Sequence, residues 1–432
     1  MKRLLKFAMA ICIVFAVGGM LSVTAQAKKN VTVSPASLEA QARKHPSVYD
    51  KSVAHCMSLN EITESMRAKG GGTLTFKKGT YRFQYSVCIP SNVTVVFKDG
   101  VVIENIMNYH AHIAPTTLLF QFVPKNKSKQ SKVIGKYNGT SNAKMIGKGK
   151  VVFKMNKVQG LAINVLHCKN IEISGITFKG MNGKHYIEVN ASKKVKIHDC
   201  RFEKATLKSV KKNYVKEAIN IDLPDPTIGG IGSVWAKQDK TPCQNITVKN
   251  CYFTGMSRGV GTHNYSQTKS GKNIYHKNIT IVGNTFTGMY DAGINVLNWK
   301  NTKIINNTFV KNGIGKNKKR NTTGHAISGS GVLKITMTGN TFKKIKLNPV
   351  YFAMKENSRY NAKYKPIYVY ITKAETQKML ANASVDCGND PGFPGYDIVY
   401  IKGTGRRNED NAVGVNFEKQ EINEKMTKTK TK

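Results

Sequence analysis

Between His185 and Ser330 the chain sets acids, imidazoles and a guanidinium at matching positions of a recurring phrase: His185-Tyr-Ile-Glu-Val, Glu217-Ala-Ile-Asn-Ile, Arg258-Gly-Val-Gly-Thr, Ala292-Gly-Ile-Asn-Val and His325-Ala-Ile-Ser-Gly. The phrase alternates, so if Ile187, Ile219, Val260, Ile294 and Ile327 face a core, their neighbours face out. The outward positions are then Tyr186, Glu188 and Asn190; Ala218, Asn220 and Asp222; Gly259, Gly261 and His263; Gly293, Asn295 and Leu297; and Ala326, Ser328 and Ser330. Stacked as neighbouring strands, Asp222 and His263 stand one strand spacing apart, about 4.8 Å. A carboxylate beside an imidazole raises its pKa and selects its tautomer, which suits proton transfer. Glu188 lies on the diagonal, and the first position of the phrase collects His185, Glu217, Arg258, Ala292 and His325. Gly259, Gly261 and Gly293 leave room above such a floor.

Two chemistries fit these residues. A polysaccharide lyase neutralises a uronate carboxylate, here by Arg258, and removes the C5 proton, here by His263 or a lysine. A hydrolase needs two carboxylates flanking the bond, for which Glu188, Glu217, Asp222 and Asp291 are candidates. Asn220, Asn295, Asp291 and His325 are expected to hold substrate, and Trp235, on an inserted loop, to stack on a sugar. Each also has a structural reading: Asp222–His263 as a turn-capping pair, Glu217–Arg258 as an ion pair between coils, His185 and His325 as corner residues, Trp235 as a loop anchor.

These residues need a scaffold that repeats, and the chain supplies one. Gly-Ile-Thr-Phe178, Asp-Cys-Arg-Phe202, Asn-Cys-Tyr-Phe253, Gly-Asn-Thr-Phe286, Asn-Asn-Thr-Phe309 and Gly-Asn-Thr-Phe342 each follow a short alternating run such as Asn170-Ile-Glu-Ile or Asn278-Ile-Thr-Ile. A repeat this short cannot bury a core alone, so copies must stack in register. The phenylalanines then form an interior ladder, and Asn284, Asn307 and Asn340 an amide ladder at a turn. Several strands per coil with parallel stacking make an all-β, right-handed parallel β-helix. Insertions after Phe202, at 223–242, 264–277 and 312–324 leave the solenoid beside the same strand and would wall a groove suited to an extended polymer.

On these phrases the chain resembles the pectate-lyase-like superfamily of right-handed β-helix proteins over roughly Ser58 to Ile345. Glu217–Asp222 and Arg258–His263 look like phrases of secreted bacterial right-handed β-helix repeat proteins. Gly70-Gly-Gly-Thr-Leu-Thr-Phe and Ile89-Pro-Ser-Asn-Val resemble the opening coils of secreted carbohydrate-active members. Gly324-His325 is similar to a segment of polygalacturonases and Asn220-Ile-Asp222 to their Asn-x-Asp, while the adjacent Asp-Asp pair and Arg-x-Lys signature of that family are missing. The resemblance leaves calcium, the cofactor of pectate lyases, without placed ligands.

Residues 1–27 read as a secretory signal peptide: Lys2, Arg3 and Lys6, an apolar run, then Ala25-Gln-Ala27. Residues 28–56 read as an N-terminal extension and 57–345 as the β-helix, opened by a capping helix with Ser58 as N-cap and Glu61 as its capping-box partner. Residues 346–417 read as an irregular C-terminal cap and 418–432 as a charged tail. No later stretch reads as a membrane span, so the expected product is exported, monomeric and extracellular or wall-associated. The 68 Lys and Arg against 25 Asp and Glu, a formal charge of +43, favour an acidic polysaccharide or cell-wall polymer as partner, or reflect a compositional habit of the source. No basic cluster interleaved with aromatics suggests nucleic acid. Seven cysteines outside the leader cannot all pair. Cys200 and Cys251 fall in the asparagine column as buried wall residues, and a Cys56–Cys88 bridge would pin the cap. The leading expectation is a secreted enzyme cleaving an acidic glycan by β-elimination, slightly ahead of hydrolysis. A non-catalytic adhesive protein and a C5 epimerase are the alternatives.

Overall fold

The computed structural model describes residues 27–46, 49–51, 53–107, 118–157, 159–205, 217–228, 233–314, 324–345, 349–353, 355, 364–369 and 371, with strand backbone at 384–386 and 399–402. The expected leader except its last residue, the 374–380 stretch, Cys387 and the tail lie outside them.

The repeat winds as a right-handed parallel β-helix. Each regular coil places three short strands on three faces, all paired in parallel with the coils before and after. Among the described residues, eighteen strands share one sheet over two adjacent faces, because strands such as Ala292–Ile305 turn the corner unbroken, and ten strands make the third. On that third face the expected phenylalanine column runs from Phe178 to Phe342, with rings 4.7–5.1 Å apart and planes within 10° of parallel. That spacing is the strand spacing itself, so ring stacking and backbone pairing demand the same register.

The amide ladder also forms. Asn284 Nδ2 donates to Asn307 Oδ1 at 2.9 Å and Asn307 Nδ2 to Asn340 Oδ1 at 3.1 Å, while the backbone N–H groups of Asn284 and Asn307 donate to the same oxygens. Cys251 N–H donates to Asn284 Oδ1, and the Cys200 and Cys251 thiols close onto carbonyls two residues back. The six described cysteines are free and buried. Cys56 and Cys88 do not bridge, because Cys56 packs in the main core and Cys88 in a separate cluster around Trp235.

At the N-terminus the structure corrects the expected cap. Within the expected extension, Val31–Val33 adds a parallel strand to Gly72–Phe76, and helix α1 (Pro35–Ala42) packs on helix α2 (Ala54–Ala68). Helix α2 begins one turn before Ser58, whose hydroxyl donates to Leu38 O as a buried tie between the helices. The capping box belongs to α1, built by Ser34 and Ser37. The face of α2 carrying Leu59, Ile62 and Met66 closes the open end of the solenoid, where core and unpaired strand edge would otherwise meet water.

At the other end the coils do not stop at Ile345. Val350–Ala353 pairs in register with Ile327–Gly329, Val399–Lys402 pairs with it in turn, and Ser384–Asp386 extends the phenylalanine face.

Candidate functional site

One face carries the cluster. Its strands are β1 (Ile187–Asn190), β2 (Glu217–Asp222), β3 (Arg258–Gly261), β4 (Ala292–Ile305), β5 (Ile327–Thr338) and β6 (Val350–Ala353). Register puts Ile187, Ile219, Val260, Ile294, Ile327 and Val350 in one inward row and Glu188, Asn220, Gly261, Asn295, Ser328 and Tyr351 in the outward row beside it.

The residue before each isoleucine does not face out as strict alternation requires. Ala326 O accepts from both Gly293 N–H and Ile294 N–H, Pro349 O from both Ala326 and Ile327, and Tyr186 O from both Ala162 and Ile163, so these strands open on a bulge that turns two successive residues inward. Tyr186 is buried and its hydroxyl crosses the core to Glu203 O at 2.8 Å. A Cβ at Gly259 would lie 2.5 Å from the Phe286 ring and one at Gly293 2.8 Å from Phe309. These glycines admit the phenylalanine stack, not a substrate. Gly261 is tight as well, since a Cβ there would stand 2.8 Å from Asn295 O. Leu297 also turns out to be covered, packed with Ile228, Tyr265, Tyr364 and Ile367 from the flanking loops.

On β1 to β3 the charged groups converge. Asn220, fully buried, is the hub: its Nδ2 donates to Glu188 Oε1 at 2.9 Å and reaches Asp222 Oδ2 at 3.5 Å, and its Oδ1 lies 3.3 Å from His263 Nδ1. That nitrogen is also 3.4 Å from Asp222 Oδ2 and 3.9 Å from Glu217 Oε2. Thr262 sets the angle of approach, since its hydroxyl donates to Ile221 O and accepts from Trp299 Nε1. The His185 ring stacks on His263 with centroids 5.5 Å apart; its Nδ1 meets Glu217 O at 2.8 Å and its Nε2 lies 3.6 Å from Glu188 Oε2. Burial, reinforced by the nearby Asp222 carboxylate, pushes Glu188 up to about 8, so it carries a proton at neutral pH.

The structure places Asp222, His263, Glu188 and Glu217 together, as the sequence led one to expect, and gives other candidates different work. Arg258 donates to Glu217 Oε1 at 2.9 Å and to Asp291 Oδ2 at 2.6 Å. Burial works against its charge, but the two carboxylates outweigh it and raise its pKa. Arg258 is therefore paired with both Glu217 and Asp291, and Asn220 is bonded to the acids on either side of it. His325 is buried, its ring stacked on Tyr351 at 4.5 Å. Trp235 is 1% exposed, packed against Cys88, Val123, Ile134 and Leu166 with Nε1 donating to Gln121; it anchors the inserted loop and offers no face to a sugar. The partly exposed members are His263, whose side chain is 21% exposed, Asn295 and Arg258.

Tyr351 escaped the sequence reading. It extends the outward row one coil past Ser328, is partly exposed, and stacks one face of its ring on His325. The signal was present in Val350-Tyr-Phe-Ala353, a further alternating run.

The loops on the far side are tied together by buried Asp225, which accepts from Thr227 N–H, Ser266 Oγ and the Tyr364 hydroxyl, with Lys240 Nζ at 3.8 Å. Among the described residues, the cluster with metal-ligand spacing is His185, Glu217 and His263, whose donor atoms lie within 4.8 Å of one another. Two imidazoles and one carboxylate do not fit calcium, which takes oxygen ligands.

No family model matches the chain. It is 26% identical over 282 residues to the plasmin and fibronectin-binding protein A of Streptococcus pneumoniae, a match covering 62% of this chain and 38% of that protein. The chain thus spans well under half the length of that relative. Two solved structures of PfbA, described as a surface adhesin of Streptococcus pneumoniae, align with a TM-score of 0.53 at 18% identity, over 76% of this chain and 84% and 82% of theirs. That likeness is one of fold.

Proposed function

We propose that this protein is an exported glycan-cleaving enzyme that hydrolyses an extended polysaccharide laid across β1 to β6. The observation that carries the reading is the Glu188–Asp222 pair: two carboxyl groups held through one amide, the first keeping its proton past neutrality. With their oxygens at 2.9 and 3.5 Å from one nitrogen, the two groups stand nearer the spacing of retaining glycosidases, about 5–5.5 Å, than that of inverting ones, about 6.5–9.5 Å. Glu188 is the general acid that protonates the leaving oxygen, and Asp222 the ionised partner acting on the opposite side of the sugar. His263 and Asn295 border the substrate, and Tyr351 supports a sugar ring downstream.

Hydrolysis is favoured over elimination by the state of Arg258. Elimination needs a cation for the uronate carboxylate, and this guanidinium already serves Glu217 and Asp291. The surplus of acid groups on the floor would repel a uronate seated at the cleavage point. The chain's formal charge of +43 supports an acidic polymer as the wider ligand, attracted by the surface around an acidic floor.

A second reading, adhesion without turnover, is favoured by the relative named for binding plasmin and fibronectin. The protein is incubated with a panel of acidic and neutral glycans, following new reducing ends and the ultraviolet absorbance of unsaturated ends, beside Glu188→Gln and Asp222→Asn. Reducing ends without absorbance, lost in both variants, are expected. Absorbance would restore elimination, and binding with neither product would make the protein an adhesin.

A further inference from the structure

We propose that His185, Glu217 and His263 form a site for a divalent transition-metal cation of the zinc class, opening onto the groove at His263. The three donors come from three successive coils, so the solenoid's own register holds them together.

Three observations carry the site. First, Glu217 is fully buried and, among the described residues, its Oε2 has no hydrogen-bond partner, whereas Oε1 is held by Arg258. A buried carboxylate oxygen left without a donor is costly, and this one is aimed between His185 Nδ1 at 3.7 Å and His263 Nδ1 at 3.9 Å. Second, donors this far apart leave a central point roughly 2.2–2.4 Å from each, within a small contraction of the metal–nitrogen and metal–oxygen distances of zinc sites, about 2.0–2.2 Å. Third, among the described residues, the carboxyl side chains of Glu217, Asp222 and Asp291 gather on this floor beside the guanidinium of Arg258, an acidic setting for a cation.

The surroundings suit bound metal. Ligation through His185 Nδ1 gives up that nitrogen's contact with Glu217 O and moves the ring proton to Nε2, which faces Glu188 Oε2 at 3.6 Å. Metal-bound imidazoles commonly donate their second nitrogen to a side-chain or backbone oxygen, and a carboxyl oxygen of Glu188 stands in that place. At His263 Nδ1, Asn220 Oδ1, Asp222 Oδ2 and Glu217 Oε2 all approach one nitrogen, and a single proton serves only one of them well. Mixed imidazole and carboxylate donors select borderline cations over calcium or magnesium. Three protein ligands leave a fourth position, on the partly exposed His263 side, for water or a sugar oxygen.

The site does not depend on the hydrolytic reading, and its test uses no glycan. The purified protein is stripped with chelator and titrated with Co2+, following visible d–d absorbance and, by calorimetry, stoichiometry. One equivalent is expected, displaced by Zn2+ and unaffected by excess Ca2+. His263→Ala should weaken binding by at least about tenfold. Glu217→Gln, which keeps an oxygen toward Arg258, should also weaken it, and exposed His45→Ala should leave it unchanged. Circular dichroism of each variant separates lost ligation from lost fold. No cobalt absorbance, an affinity within twofold in folded His263→Ala, or displacement by Ca2+ would each overturn the site. Cobalt binding without glycan cleavage would strike only the hydrolytic assignment, and cleavage without cobalt binding only the metal.

Discussion

At the scale of the residue, the protein is governed by what burial does to ionisable groups. Glu188 is pushed up to about 8 chiefly by burial. Its folded pKa lies above its unfolded one, so the stability linked to its proton is fully present below pH 4.5 and is lost as pH rises through about 8. Denaturant unfolding across that window should show stability falling with pH, and Glu188→Gln should flatten the slope. In the hydrolytic reading the same substitution lowers kcat about 100-fold or more with little change in KM, and the wild-type rate falls away above about pH 8. His276 shows the opposite sign. Burial lowers it to about 3, and its Nδ1 accepts from Cys243 N–H as a neutral ring. The stability it contributes is present above pH 6.5 and lost as pH falls toward 3, so His276→Asn should reduce the acid sensitivity of unfolding in that range. Arg258→Met leaves Glu217 and Asp291 buried without their cation, a loss of about 3–5 kcal/mol readable by urea denaturation.

At the scale of the element, ladders and loop anchors do separate work. Asn307 accepts from two donors of Asn284 and donates to Ile281 O, Ile305 O and Asn340 Oδ1. Asn307→Ala orphans several buried groups at once, at about 1–3 kcal/mol each, so a drop of several kcal/mol in unfolding free energy is expected from one surface-distant amide. Trp235→Ala should cost about 3–5 kcal/mol of packing and speed proteolysis within the inserted loop while leaving glycan affinity unchanged. Tyr351→Ala should do the reverse, weakening glycan binding with little effect on unfolding. The ladders were legible in the sequence because an identical residue at a fixed place in each repeat has one meaning in a stacked solenoid. The role of Trp235 was not, because a loop's docking side depends on coils far away in sequence, here Cys88, Val123 and Leu166.

At the scale of the molecule, one long core is closed at its N-terminal end by α2 and carries a large positive charge around a locally acidic floor. That arrangement predicts two salt responses from one protein. Affinity for a polyanionic glycan should fall steeply between low and physiological ionic strength, since surface attraction is screened within about 8–10 Å. Unfolding free energy should change far less, because the Arg258 ion pairs and the stacked core are buried from the salt. Titration of glycan binding and of unfolding over one salt series checks both.

Repetition by itself determined the parallel β-helix, the phenylalanine and asparagine columns, and the meeting of Asp222, His263, Glu188 and Glu217, because a fixed period turns sequence spacing into spatial columns. Tertiary structure alone decided which of those columns a ligand can reach. Bulges at strand starts turned Tyr186, Gly259 and Gly293 inward, Asp291 captured Arg258, and the coils ran past Ile345 to bring Tyr351 into the row. Each of those outcomes depends on a partner supplied by another coil or loop, and the repeat's period carries no information about that partner.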